Sequence, residues 1–365
     1  MNPVTRGLHE MGQRIWLDNI TRQLLLSGTL ARYISDLSVT GLTSNPTIFE
    51  HAIGGGDSYD EAIALGAAHS VSDEELFFDL ALQDLTQAAD LLRPTFDSSG
   101  GVDGWVSLEV SPLLANDSTT TIRAAARLHA RAARPNIFIK IPGTPQGIRA
   151  IEQSIFNGVP INVTLLFSCD HYLAAADAYL RGIERRVAAG LNPAVESVAS
   201  LFVSRWDVAV MDKVSPKFHN RLGIAVAAQT FKAYRDLLDS NRWRRLADAG
   251  ARPQRLLWAS TGTKDPAAQD TLYVEALVAA GTINTIPENT LLAFADHGHA
   301  GAGLPADGGN AESVLREFRR AGIDDRALAA RLQLEGVAAF TKSWSGLMAK
   351  IREKRPQPQT VQALP

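Results

Sequence analysis

Strand-like and helix-like patterns alternate along this chain from residue 14 to about residue 300. Short apolar runs rich in β-branched residues predict strands at 14–19, 39–45, 105–110, 137–141, 161–167, 195–203, 255–259 and 282–286. Stretches with apolar positions three and four apart predict the helices between them. These fall at 21–37, from Pro46 onward, in two pieces across 58–92, and at 119–133, 144–156, 170–188, 221–238, 271–279 and 289–295. Pro46 suits a first helical turn, Gly54-Gly55-Gly56 interrupts that helix, and Ser72-Asp73-Glu74-Glu75 is a capping sequence. Two more helices are expected across 312–354, the second amphipathic through Leu328, Leu332, Leu334, Val337, Phe340 and Leu347.

Eight strand–helix units fit a (β/α)8 barrel better than an open doubly wound sheet. The first turns carry no G-x-G-x-x-G fingerprint, and the triple glycine is not a phosphate loop of the G-x-x-x-x-G-K type. No linker or repeat divides the pattern, so residues 1–354 are expected to form one barrel domain with extra C-terminal helices. The proline- and glutamine-rich end, 355–365, reads as a flexible tail.

Composition narrows the function. The 365 residues are 45% hydrophobic and 21% charged, enough apolar material for a large core. A net charge of −3 and a pI near 6.3 argue against a nucleic-acid or membrane-surface partner. The pairs Arg185-Arg186, Arg244-Arg245 and Arg319-Arg320 fall within amphipathic patterns and read as solvated helix faces. Cys169 is the only cysteine, which excludes an internal disulfide and a multi-cysteine zinc site; without a surrounding motif it reads as packing. The polar first 13 residues lack a signal-peptide core, and no apolar run reaches the ~20 residues of a membrane span, so a cytoplasmic location is expected.

Candidate chemistry begins with Asn136-Ile137-Phe138-Ile139-Lys140-Ile141-Pro142-Gly143-Thr144. In a strand, Phe138 and Lys140 face one way and Ile137, Ile139 and Ile141 the other. A buried lysine becomes a nucleophilic amine suited to Schiff-base formation, whereas a strand-end lysine can snorkel its charge to water. These nine residues alone leave both readings open.

The other strands extend the pattern. Asp18 closes the first and Asn45 the second; Glu109 sits late in the third and Lys140 late in the fourth. Asn162 and Thr164 lie in the fifth, Ser200 in the sixth with Arg205 just beyond, and Ser260 ends the seventh. Each has an ordinary use as a cap, turn, strand former or surface ion pair. Together they match a barrel enzyme, whose functional groups converge from the carboxyl ends of successive strands. In that arrangement Lys140 attacks a ketone, Asp18 takes the hydroxyl proton as a C–C bond breaks, and Glu109 with Thr164 handles water. Asn45, Asn162 and Ser200 suit substrate hydroxyls, while Arg205 and Ser260 suit a phosphate.

Four motifs in order carry a resemblance: Leu42-Thr43-Ser44-Asn45-Pro46-Thr47-Ile48-Phe49, Val106-Ser107-Leu108-Glu109-Val110-Ser111-Pro112, Ile139-Lys140-Ile141-Pro142-Gly143-Thr144 and Ile161-Asn162-Val163-Thr164-Leu165-Leu166-Phe167-Ser168. Together they resemble the transaldolases over about 18–288. Leu257-Trp258-Ala259-Ser260-Thr261-Gly262-Thr263-Lys264 and Thr282-Ile283-Asn284-Thr285-Ile286-Pro287-Glu288 are similar to the longer bacterial subfamily, some of whose members carry a fused glucose-6-phosphate isomerase.

The resemblance implies a class I aldolase-type (TIM) barrel in the pentose phosphate pathway, acting without metal or organic cofactor. It would pass a dihydroxyacetone unit from sedoheptulose 7-phosphate to glyceraldehyde 3-phosphate, giving erythrose 4-phosphate and fructose 6-phosphate. It implies Lys140 as Schiff-base lysine, Asp18 as acid/base, and Glu109 with Thr164 as the water-handling pair. Asn45, Asn162 and Ser200 would line the donor site, with Arg205 and Ser260 on the phosphate side. Many members have a second phosphate arginine shortly after that serine. Here Thr261-Gly262-Thr263-Lys264 follows, so Lys264 is expected to replace it as a point charge. The C-terminal helix is expected to cover the barrel mouth, in a monomer or homo-oligomer. Two competing readings remain: a Schiff-base aldolase that releases free dihydroxyacetone, and a silent barrel that only binds a sugar phosphate. A tyrosine near the lysine would favour the first, and loss of Lys140, Asp18 or Glu109 the second; neither feature is present in the motifs.

Overall fold

Eight parallel strands close into a barrel in the computed structural model, which describes residues 2–68 and 72–356. In chain order they are β1 (Arg14–Leu17), β2 (Val39–Thr43), β3 (Trp105–Glu109), β4 (Ile137–Pro142), β5 (Ile161–Leu166), β6 (Ser197–Phe202), β7 (Gln254–Ala259) and β8 (Ile283–Ile286). Each pairs with its sequence neighbour, and β1 pairs with β8. All eight expected strands are present, most of them a residue or two shorter than the apolar runs suggest. The (β/α)8 expectation therefore holds.

Alternation along the strands sorts the core into two parts. Ile137, Ile139 and Ile141 belong to the large cluster between barrel and helices, while Phe138 faces inward. Below the mouth the barrel is plugged by aromatic side chains. Trp105 and Phe138 stack with ring centroids 4.0 Å apart, and Trp16 lies 6.1 Å from Phe138. Gly41 makes room for this plug, because a Cβ there would sit 2.4 Å from Trp16 Nε1. The indole N–H donates to Asp103 at 3.0 Å, so even this buried polar atom is satisfied. Within the barrel, space for a ligand is left at the carboxyl ends of the strands.

The helices depart from expectation in a few places. The stretch expected as one helix at 21–37 is two, Arg22–Leu26 and Thr29–Asp36, separated by Ser27 and Gly28. Gly28 adopts φ 70°, a left-handed conformation that interrupts the helical path and that glycine takes without steric cost. Among the described residues three α-helices had no counterpart in the reading of the sequence: Pro3–Glu10, capped by Asn2, Ser204–Val210 and Asn241–Asp248. The capping box at Ser72 and Glu75 forms as expected.

The last two helices, Ala311–Arg320 and Asp325–Lys354, follow the barrel. The second has 30 residues and returns across the mouth. Its far half is anchored by Trp344, whose ring packs 5.1 Å from Phe77 and 5.7 Å from Phe78. Near its start, Gln333 hydrogen bonds to the backbone at the ends of β4 and β5. Of the segment read as a tail, Arg355 is tied to Asp73 at 3.0 Å and Pro356 follows; residues 357–365 lie outside the described residues.

Candidate active site

A cavity of about 710 Å³ opens at the carboxyl ends of the strands. Its wall includes Asp18, Asn45, Lys140, Thr164, Ser200, Arg205, Ser260 and Lys264, eight of the ten residues singled out from the sequence. They come from six strand ends and the loops beyond, so only barrel closure brings them together.

Strand register places the central pair. Glu109 on β3 is the parallel partner of Lys140 on β4, and both side chains face inward. Lys140 Nζ lies 3.1 Å from Glu109 Oε2 and donates to the Ser44 carbonyl at 3.0 Å. The lysine is 4% exposed, which rules out snorkelling into solvent. Glu109 is equally buried, behind Lys140 rather than on the cavity wall. Burial raises its carboxyl above the ordinary range, and the Lys140 charge works against that shift. Neither Glu109 oxygen has a well-aligned protein donor, and Thr164 Oγ1 also has no protein partner. These buried groups are therefore free to bind water.

Asp18 is the second carboxylate of the site. It lies just past β1 and accepts a 2.7 Å hydrogen bond from Thr43, whose hydroxyl also meets Thr285 at 2.6 Å. Burial raises its pKa, with Lys140, the Thr43 hydrogen bond and Lys264 all opposing.

Further cationic groups stand on the wall. Arg205 stands just beyond β6 in the helix Ser204–Val210, with its guanidinium carbon 5.2 Å from the Phe202 ring and 5.9 Å from the Phe340 ring. Burial lowers its pKa, and Glu335 on the C-terminal helix counters this. Ser260 has φ 57°, a left-handed turn at the end of β7, and its hydroxyl meets that of Ser204 at 2.9 Å. Lys264, four residues on in a loop, lines the same cavity as Arg205 and Ser260. An anion there would meet one guanidinium, one ammonium and two hydroxyls.

Two expected hydroxyl-binding residues have other partners. Asn45 lines the cavity, but its side-chain oxygen caps the helix Pro46–Gly54 at Ile48 N, leaving its amide N–H groups for a ligand. Asn162 does not reach the cavity wall. It is fully buried, donating to Ser107 at 3.0 Å and accepting from Ser200 at 2.7 Å, and so fixes the Ser200 hydroxyl that does line it.

The sequence reading missed Thr43, Thr285, Phe202, Leu332, Glu335 and Phe340, all on the wall. Thr43 and Thr285 were visible as polar residues late in β2 and β8; the helix residues had no local signal. Phe340 approaches the amine itself, its ring centre 5.8 Å from Lys140 Nζ. Cys169 opens the helix Cys169–Ala188 away from the cavity, and burial pushes its thiol up to about 11, consistent with packing. Among the described residues no group of three or more His, Cys, Asp or Glu side chains is placed to hold a metal ion. Nor is any helix among them long and apolar enough to cross a membrane.

Comparison with known proteins agrees with this geometry. The family model described as Transaldolase/Fructose-6-phosphate aldolase matches residues 15–351. A protein named Transaldolase from Parafrankia sp. (strain EAN1pec) is 44% identical, over 97% of this chain and 98% of that protein. Proteins of the same name from Thermobifida fusca and Thiobacillus denitrificans are 43% and 42% identical, over 97% and 95% of this chain and 99% of each relative.

Proposed function

The chain belongs to the transaldolase/fructose-6-phosphate aldolase family and is an enzyme of the transaldolase type. On that premise we propose that it transfers a dihydroxyacetone unit between sugar phosphates through a Schiff base on Lys140. The donor is sedoheptulose 7-phosphate and the acceptor glyceraldehyde 3-phosphate; the products are erythrose 4-phosphate and fructose 6-phosphate. In this reading residues 1–354 work as one barrel domain, in the cytoplasm and the pentose phosphate pathway.

The observation that carries the reading is the buried amine of Lys140, 3.1 Å from Glu109 on the floor of a cavity that Asp18 and Arg205 also line. Glu109, its carboxyl raised by burial, is placed to take the ammonium proton and free the nitrogen lone pair. The amine adds to the C2 carbonyl of the ketose. Glu109, with a water held by Thr164, returns a proton to the carbinolamine hydroxyl, which leaves as water and gives the iminium. Asp18 then removes the proton of the C4 hydroxyl. The C3–C4 bond breaks, its electron pair flows into the iminium, and the aldehyde departs, leaving an enamine on Lys140. The acceptor aldehyde enters and the same steps run in reverse.

Asn45 and Ser200 hold donor hydroxyls, with Asn162 fixing Ser200 from behind. Arg205, Ser260 and Lys264 hold the phosphate. Transfer, as opposed to release, requires that no acid protonate the enamine carbon before the acceptor arrives. Among the described residues the cavity is lined by Phe202 and Phe340 but by no tyrosine, which favours transfer. Coupled assays on fructose 6-phosphate with and without erythrose 4-phosphate test this: rapid turnover only with the acceptor supports transfer, and equal turnover without it contradicts it.

A further inference from the structure

The C-terminal helix is fastened to the barrel by a buried amide that the chemistry above does not use. Gln333 is 8% exposed, and its Nε2 donates to the Gly143 carbonyl at 3.1 Å and to the Leu165 carbonyl at 3.0 Å. Gly143 directly follows the strand that carries Lys140, and Leu165 directly follows Thr164. One side chain therefore spans the ends of two strands that deliver groups to the amine.

The backbone under Gln333 is shaped to receive it. Leu165 has φ 57°, and the pairing of β5 with β6 shifts register between Val163 and Leu166. A non-glycine residue in this region of φ is strained and persists because its surroundings hold it there. At Gly143 a Cβ would lie 2.4 Å from Leu166 Cδ2, so a side chain there would displace Leu166.

Helical spacing connects this contact to the amine. Gln333, Gly336 and Phe340 lie three and four residues apart and share one face. At Gly336 a Cβ would be 2.9 Å from Leu165 Cδ2 and 3.5 Å from Arg205 Nη1, so the helix lies directly on the bulge. Two turns on from Gln333, Phe340 sets its ring 5.8 Å from Lys140 Nζ. The depth of the helix on the bulge thus sets the position of the ring over the amine.

We propose that Gln333 is a positioning residue that seats the C-terminal helix so that the Phe340 ring shields the Lys140 enamine from water, thereby setting the ratio of transfer to release. The proposal rests on the Schiff-base reading above. When the shield fails, the enamine carbon takes a proton from water and the iminium of dihydroxyacetone forms. Water adds to its carbon, the C–N bond breaks with the electron pair going to nitrogen, and Lys140 is regenerated. The net result is an aldehyde phosphate and free dihydroxyacetone, with no change of oxidation state.

The test compares Gln333→Met, which keeps the volume but loses the donors, with the unsubstituted protein. Transfer from fructose 6-phosphate to erythrose 4-phosphate and release of free dihydroxyacetone without acceptor are measured in parallel, together with borohydride trapping at Lys140. The expected result is intact trapping with a transfer-to-release ratio lowered about ten-fold or more, on the scale of losing hydrogen bonds that order a buried group. Intact trapping with a ratio within about two-fold of the unsubstituted protein overturns the role of Gln333 and leaves the Schiff-base reading standing. Absent trapping in the unsubstituted protein overturns the Schiff-base reading itself. Should Gln333→Met not fold, Gln333→Glu carries the test, because only a protonated carboxyl can donate to either carbonyl. Its ratio, relative to the unsubstituted protein at the same pH, should recover as the pH falls; no recovery overturns the proposal.

Discussion

Lys140 Nζ lies 3.1 Å from Glu109 Oε2 because the two residues are register partners on adjacent parallel strands. The pair is built into the barrel wall and does not depend on a loop for its geometry. Replacing Glu109 with Gln keeps the shape but removes the carboxylate proposed to accept the ammonium proton. Turnover should fall about 10²- to 10⁴-fold, the usual scale for a lost acid/base group. Steady-state kinetics will check this, and near-normal kcat would remove Glu109 from the mechanism.

Asp18 should trade stability for function. Burial raises its folded-state pKa above the ordinary carboxylate value of 3.8, so its stabilising contribution is fully present below that pH. That contribution is lost as the pH rises through the folded-state pKa, where the buried carboxyl is forced to ionise. Asp18→Asn removes the titration and keeps an acceptor for Thr43. The variant should unfold at a higher temperature than the parent at pH 7, with the difference vanishing near pH 3, while transfer falls about 10²- to 10⁴-fold. Thermal unfolding at the two pH values measures the first part. A parent more stable than the variant at pH 7 would contradict it.

Lys264 should act on the phosphate rather than on the bond being broken. Lys264→Met is expected to lower kcat/KM for fructose 6-phosphate about ten-fold, mostly through KM, the size of one hydrogen bond to a charged group. Activity on unphosphorylated fructose should fall much less, since Lys264 reaches the proposed base Asp18 only through its charge. Arg205→Met should cost more, because the guanidinium also packs between the Phe202 and Phe340 rings. Equal losses on both substrates would place Lys264 outside the phosphate site.

Gly41→Ala probes the aromatic floor under the site. A Cβ 2.4 Å from Trp16 Nε1 has to displace the indole that donates to Asp103. The expected cost is about 1–3 kcal/mol of stability by overpacking, read by denaturant unfolding. An unchanged midpoint would mean that the plug is loosely packed.

The barrel was legible because each strand is a short apolar run and each inward polar residue sits near its carboxyl end, as Asp18, Glu109, Lys140 and Ser200 do. The transaldolase family was legible from the motifs around those residues together. What stayed hidden depends on tertiary contact. Gln333 and Phe340 sit on an ordinary amphipathic helix, and nothing local says that its apolar face rests on a strand bulge. The bulge at Leu165 is invisible because Leu165 lies in an apolar run that reads as regular strand. Asn162 has the right type and place for a substrate contact, yet its amide is taken up by Ser107 and Ser200. The break at Gly28 was missed because the apolar spacing continues on both sides of it.

Every step of the proposed mechanism requires Lys140 to carry the substrate covalently. Incubation with fructose 6-phosphate and borohydride, followed by peptide mass mapping, tests it directly. One reduced adduct of a three-carbon or six-carbon unit is expected, on Lys140 and absent from Lys140→Met. An adduct on another lysine, or none in the unsubstituted protein, would contradict it.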